Sequence, residues 1–162
     1  MEPGPLSKLI LASRNPPSLV HAVRTAVAAV VSYLIASLFR LPEAYWASIS
    51  AMIVMQSTLG VALPVSVQRF AGTAIGAAVG AAAGSLFGES VWAFGGAVFL
   101  IGVLCAVLRV DRSAYRYASI TLAIVMLLAR HASVWLIAIH RFCEVSLGIA
   151  VGLLISALWP EG

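Results

Sequence analysis

Long apolar runs alternate with short polar breaks along the chain, and most runs have the length a bilayer demands. A membrane-spanning helix needs about 20 mostly apolar residues to cross a hydrocarbon core of about 30 Å. Such runs occupy residues 19–39, 44–63, 67–87, 91–108, 114–129 and 134–159. The breaks are Leu41-Pro42-Glu43, Pro64, Gly88-Glu89-Ser90, the charged stretch from Arg109 to Ser113, and Arg130-His131. The pattern predicts an all-α integral membrane protein, a six-helix bundle over residues 18–162 behind a cytoplasmic tail at 1–17. That tail holds Pro3, Pro5, Pro16 and Pro17 and has no long apolar core, so it does not read as a cleavable signal. A brief interfacial turn at residues 6–11 would set Lys8 and Arg14 against anionic headgroups.

The chain also repeats itself. Residues 47–55 read ASISAMIVM and residues 118–126 read ASITLAIVM, matching at six of nine positions with an offset of 71. RFAGTAIGAAVG from Arg69 and RFCEVSLGIAVG from Arg141 match at six of twelve, with an offset of 72. That offset spans three helices. An odd number of spans makes the second copy enter the membrane from the other side, so the halves, about 18–89 and 90–162, are expected to be inverted-topology repeats. Many transporters use that arrangement to place one site near the midplane.

Composition agrees with lipid as the solvent: 62% of residues are apolar and only 10% charged, with a mean hydropathy of +1.03. A soluble domain carries about 25% charged residues. The net charge of +4 is not gathered into a polar stripe, which argues against nucleic acid. Instead the basic residues mark sidedness. Lys8, Arg14, Arg24, Arg69, Arg109, Arg112 and Arg116 fall at one set of helix ends, against Arg40, Arg130 and Arg141 at the other, seven to three. The positive-inside rule then puts both termini in the cytoplasm, and the localisation expected is a cell inner membrane. Trp46, Trp92, Trp135 and Trp159 fall near span ends, as an aromatic belt requires. Cys105 and Cys143 lie in apolar runs without metal spacing and read as free, buried thiols.

Candidate chemistry centres on Arg69 and Arg141, which the repeat makes equivalent. An arginine at membrane depth costs roughly 2.5 kcal/mol or more on insertion scales, so it normally faces a cavity or a partner. Its planar fork of donors suits a carboxylate. The plainer alternative is an interfacial arginine snorkelling to headgroups. Glu144 lies three residues after Arg141 on the same helix face, either as a local ion pair or as a proton-coupling carboxylate. Its counterpart in the first half is Gly72. Glu43 is a weaker candidate. Gly72, Gly76, Gly80 and Gly84, with Gly88 next, recur every fourth residue, and Gly148 and Gly152 begin the same ladder in the second half. These glycines are assigned to close helix packing, against either the other half or another subunit. Ser48, Ser50, Gln56, Ser57 and Thr58 on the second run, and Ser119 and Thr121 on the fifth, offer hydrogen bonds, although hydroxyls in such helices often bond their own backbone. Tyr45, Trp46, Tyr115 and Tyr117 are belt residues whose rings could also stack on an aromatic ligand. There is no HExxH, no GxSxG and no phosphate-cradling loop, and His21, His131 and His140 are scattered, so neither an enzyme nor a metal or other cofactor is expected.

The stretch YWASISAMIVMQSTLGVALPVSVQRFAGTAIGAAVG, from Tyr45 to Gly80, resembles the fusaric acid resistance and aromatic acid exporter family. The resemblance lies in a Tyr-Trp at the start of the second run and an Arg-x-x-Gly-Thr-x-x-Gly motif on Arg69, Gly72, Thr73 and Gly76. The segment RFCEVSLGIAVGLLISALWPEG is similar to the sixth helix of the plant aluminium-activated malate transporters. The resemblance implies a six-helix unit that handles organic anions, often aromatic carboxylates, by efflux or channel-like conduction, and that works as a dimer or higher homo-oligomer. Family members usually continue into a cytoplasmic helical domain, and many hold two membrane units; the single unit here strengthens the expectation of a homo-oligomer.

The expected function is therefore efflux of small organic anions across the bilayer. Arg69 and Arg141 would attract the carboxylate, Arg24 would assist, and Gln56, Ser50, Thr73, Thr121 and Trp46 would complete the site, with Glu144 coupling to protons. An anion channel on the same scaffold, or a membrane subunit that needs a partner, are the alternatives.

Overall fold

A computed structural model describes residues 18–55, 59–88, 90–128 and 133–159. Among the described residues the helices are α1 (Leu19–Leu38), α2 (Tyr45–Met55), α3 (Leu59–Phe87), α4 (Val91–Val107), α5 (Arg112–Leu127) and α6 (Val134–Leu158). The predicted tail at 1–17 and Gln56 lie outside the described residues. Three helices, α1, α3 and α6, are long and apolar enough to cross a membrane; α2 and α4 are apolar but shorter.

The helix ends follow local chemistry. Ser18 and Ser90 cap α1 and α4 by accepting from the backbone N–H of His21 and Ala93. Both helices finish the same way at the other end. Arg40 and Arg109 take positive φ, 55° and 53°, and the next residues donate back across the last turn, Leu41 to Ala36 and Val110 to Cys105. Those are the bonds of a Schellman stop.

One predicted boundary is wrong. The second run was expected to continue to residue 63 and break at Pro64, but α2 ends at Met55 and Pro64 lies inside α3. Pro64 stands only about a turn and a half into α3, so its missing N–H costs one bond, to the carbonyl of Gly60, near an end where bonds are few. The described part of α3 begins at Leu59. At 11 residues α2 is about 16 Å long, too short to cross a bilayer by itself.

Packing is inside out relative to a soluble bundle. The core is largely small: Ala28, Ala36, Ala47, Ala51, Ala62, Ala81, Ala114 and Ala118 are completely buried. The large apolar residues, among them Val30, Leu34, Trp92, Phe99, Val107 and Ile139, point outward. In lipid nothing is gained by hiding Leu from hydrocarbon, whereas small residues let helix backbones come close.

The halves interlock as inverted repeats. Packing of α2 on α6 has its counterpart in α5 on α3, α1 on α2 in α4 on α5, and α1 on α6 in α4 on α3. The glycine ladders match in detail. Gly76 lies against the backbone of Ala118, and Gly148 against that of Ala47. Gly80 meets Leu122 and Val125, as Gly152 meets Ala51 and Val54. Gly72 and Gly84 also pack on the other half, against Ala114 and Val134, whereas Gly88 has open space around it and a φ of +61° that ends α3. The α3 ladder therefore meets its own second half. Helices α3 and α6 run antiparallel: Ala77 and Ala81 cluster with Ala138 and Val134, while Ala62 clusters with Val145 and Ile149. Where they cross, Phe70 touches its own repeat mate Phe142, with ring centroids 5.0 Å apart. A residue that contacts its counterpart marks the pseudo-twofold axis.

Candidate functional site

A cavity of about 160 Å³ lies at this axis, lined by Trp46, Ile49, Ile53, Arg69, Thr73, Tyr117, Ile120, Thr121, Arg141 and Val145. Its walls come in repeat pairs: Arg69 with Arg141, Trp46 with Tyr117, Ile49 with Ile120. Both arginines are buried, 6% and 3% exposed, so snorkelling does not describe them.

Each guanidinium lies over an aromatic ring from the other half. Arg69 is 4.9 Å from the Tyr117 ring centre and Arg141 is 3.3 Å from that of Trp46. A desolvated cation over an indole or phenol face is worth about 2 kcal/mol, which offsets part of the burial of the charge. Arg69 Nη2 donates to Ser50 Oγ at 3.0 Å, and Ser50 in turn donates to the carbonyl of Trp46 at 2.8 Å. Ser50 thus makes the expected local backbone bond and serves the site as well. The remaining donors have no such match: Nε of Arg69, and Nε and Nη1 of Arg141, are buried without a hydrogen-bond partner among the described residues. Buried guanidinium donors without partners in a low-dielectric interior can donate hydrogen bonds to an anion's oxygens.

Glu144 is 1% exposed and makes no ion pair with Arg141. Its Oε1 accepts from the backbone N–H of Glu43 at 2.9 Å, just ahead of α2. Glu43 turns its own carboxylate to the Trp46 indole, whose N–H donates to Oε2 at 2.8 Å. Trp46 is therefore fixed beneath Arg141 by Glu43. This chain of contacts borders a vestibule of about 310 Å³ lined by Pro42, Glu43, Ile124, Leu128, Leu136, Ile137, His140, Arg141 and Glu144. Arg141 lines both spaces, and the vestibule lies on the side of the α1–α2 and α5–α6 connections. At the repeat-related place on the other side, Gly72 stands where Glu144 would be, and α3 closes directly on the Ala114 backbone of α5. Nearby Gln68 Nε2 donates to Asp111 Oδ2 at 2.6 Å.

Of the residues expected at the site, Arg69, Arg141, Ser50, Thr73, Thr121 and Trp46 converge. Arg24 does not: it is buried on α1, one turn from Ala28, and lies outside the cavity lining. Trp46 is half-buried and lines the cavity, whereas Trp92, Trp135 and Trp159 are exposed. Ser48 ties α2 to α1 through the carbonyl of Ala29. Cys143, expected to be buried like Cys105, is exposed, because two residues along a helix it points away from Arg141. Tyr117 was not placed in the site from sequence, although the offset of 71 carries Trp46 onto it.

The fold and its interior arginine pair define a membrane-embedded helical protein built from inverted repeats. Residues 25–155 match the family described as fusaric acid resistance protein-like, and the chain belongs to that family. It is similar to Inner membrane protein YeeA of Escherichia coli (strain K12), 27% identical over 150 residues that make up 88% of this chain and 41% of that protein. The chain thus spans about two-fifths of the length of this curated relative. No solved structure matches.

Proposed function

We propose that this protein carries small organic anions across a cell inner membrane and holds their carboxylate between Arg69 and Arg141. The supporting observation is the set of unfilled, buried guanidinium donors that two repeat-related arginines turn into one cavity on the pseudo-twofold axis. Thr73 and Thr121 add hydroxyls, and Ile49, Ile53, Ile120 and Val145 supply an apolar lining for the rest of the molecule. Aromatic carboxylates fit that mixture of charge and apolar wall. The family's description, resistance to an organic acid, favours efflux. The arginine distribution favours cytoplasmic termini.

A carrier reading rests on the difference between the two sides. The vestibule leads to Arg141 from one side, while the Gly72–Ala114 packing and the Gln68–Asp111 bond join α3 to the start of α5 at the related place on the other. Inverted repeats allow the halves to exchange these two arrangements and so alternate access. Assembly into a homo-oligomer belongs to the same proposal, and the mass of the purified particle tests it. Flux of labelled benzoate into proteoliposomes, with and without an imposed pH gradient, tests transport. Saturable flux supports a carrier. Unsaturable flux that follows voltage would make the protein a channel, and absence of flux from a folded preparation would make it a subunit requiring a partner.

A further inference from the structure

Glu144 breaks the symmetry of the site. Arg69 and Arg141, Trp46 and Tyr117, and Ser50 and Thr121 are repeat mates of similar chemistry, yet opposite this carboxylate stands Gly72. A buried acid is expensive to retain, so its presence on only one side calls for a role specific to that side.

We propose that Glu144 is the binding site of a proton that is taken up together with the anion at Arg141. This inference rests on the arginine-pair reading above. Glu144 follows Arg141 by three residues, and both side chains line the vestibule, which shares Arg141 with the central cavity. The two make no ion pair, so Arg141 keeps donors free while Glu144 accepts from the Glu43 backbone. An ionised Glu144 repels an incoming carboxylate across the low-dielectric vestibule, and a protonated one does not. Anion and proton therefore reinforce each other's binding, and linkage makes the effect reciprocal; the pair moves as the neutral acid, so efflux through this site runs down the gradient of that acid.

The other groups facing this position are identifiable. Glu43 lies at the start of the α2 segment and adds a second negative charge, which is held by the Trp46 indole. Tyr45 on α2 lies close enough to sense both acids. His140 lines the vestibule from α6, and α5 contributes only Ile124 and Leu128. Arg69 lies across the central cavity.

The test measures equilibrium binding of labelled benzoate to the purified full-length protein in nanodiscs between pH 5 and 8. A pH indicator follows proton uptake. For the wild type, affinity should rise as pH falls, by at most about tenfold per pH unit if one proton is linked, with up to one proton taken up per benzoate. Glu144→Gln should bind benzoate tightly at all these pH values and take up no proton. Glu144→Asp, the fallback if Gln disturbs assembly, should shift the pH dependence without removing it. His140→Gln should leave it in place. A Glu144→Gln protein with the wild-type pH slope and proton uptake would overturn the proposal, as would wild-type binding that ignores pH. Benzoate binding to neither protein would overturn the arginine-site reading, and this inference with it.

Discussion

Replacing Gly76 by alanine puts a methyl group into one of the closest helix contacts among the described residues. An ideal Cβ at Gly76 falls 2.9 Å from both the Cα and the carbonyl carbon of Ala118, and nearer still to the carbonyl oxygen. Ordinary contact begins at 3.4 Å, so α3 and α5 must separate by at least 3.4 − 2.9 = 0.5 Å. The obstacle is backbone, which cannot rotate aside as a side-chain tip would. Overpacking of this kind typically costs about 1–3 kcal/mol. Alanine is a better helix former than glycine by about 1 kcal/mol, which masks part of the loss. Gly95→Ala removes that ambiguity, because a Cβ at Gly95 has nothing within 4 Å and gains only the propensity. The difference between the two variants isolates the steric term, about 1–3 kcal/mol, which corresponds to roughly 2–12 °C in melting temperature for a chain of this size. Thermal unfolding of both proteins in the same detergent measures it. If Gly76→Ala melts with Gly95→Ala, the α3–α5 contact is not as close as described, and the interlocking of the halves loses its main support.

Other consequences follow from single residues. Arg40→Gly relieves a side chain held at φ 55°, and should stabilise the protein by about 0.4–1 kcal/mol in the same melting assay, since glycine adopts that conformation freely. Trp46→Phe keeps a ring beneath Arg141 but removes the donor to Glu43, so a loss of about 1–3 kcal/mol in stability is expected; a neutral result would mean that Glu43 finds another partner. Thr121→Val preserves shape while deleting a hydroxyl from the cavity, and should weaken benzoate binding by a few-fold without changing the melting temperature by more than a few degrees.

Much of this architecture is legible in the sequence because the bilayer imposes simple lengths. Four of the six runs agree with their helices to within two residues at each described end. The second and third miss at their shared boundary, because Pro64 near a helix start removes only one bond and does not break the helix. Arg69 and Arg141 were legible through the Arg-Phe repeat, which also placed them on opposite helices of one site. Tyr117 could have been found by applying the offset of 71 to Trp46. The Glu144–Glu43 bond could not, since it joins residues 101 apart and depends on how α6 meets the start of α2. Nor could Arg24 be excluded by type alone. It is buried like the other two, and only the packing of α1 against α2 and α6 leaves it outside the lining.

Binding of labelled benzoate at fixed pH to the Arg69→Gln/Arg141→Gln double variant tests the paired arginines directly. Hydrogen bonds to a charged group are worth about 1.5–3 kcal/mol each, so affinity should fall at least tenfold, in a particle that keeps the size and melting behaviour of the wild type. Binding within twofold of the wild type would show that the anion is held elsewhere, and would contradict the assignment of the central cavity.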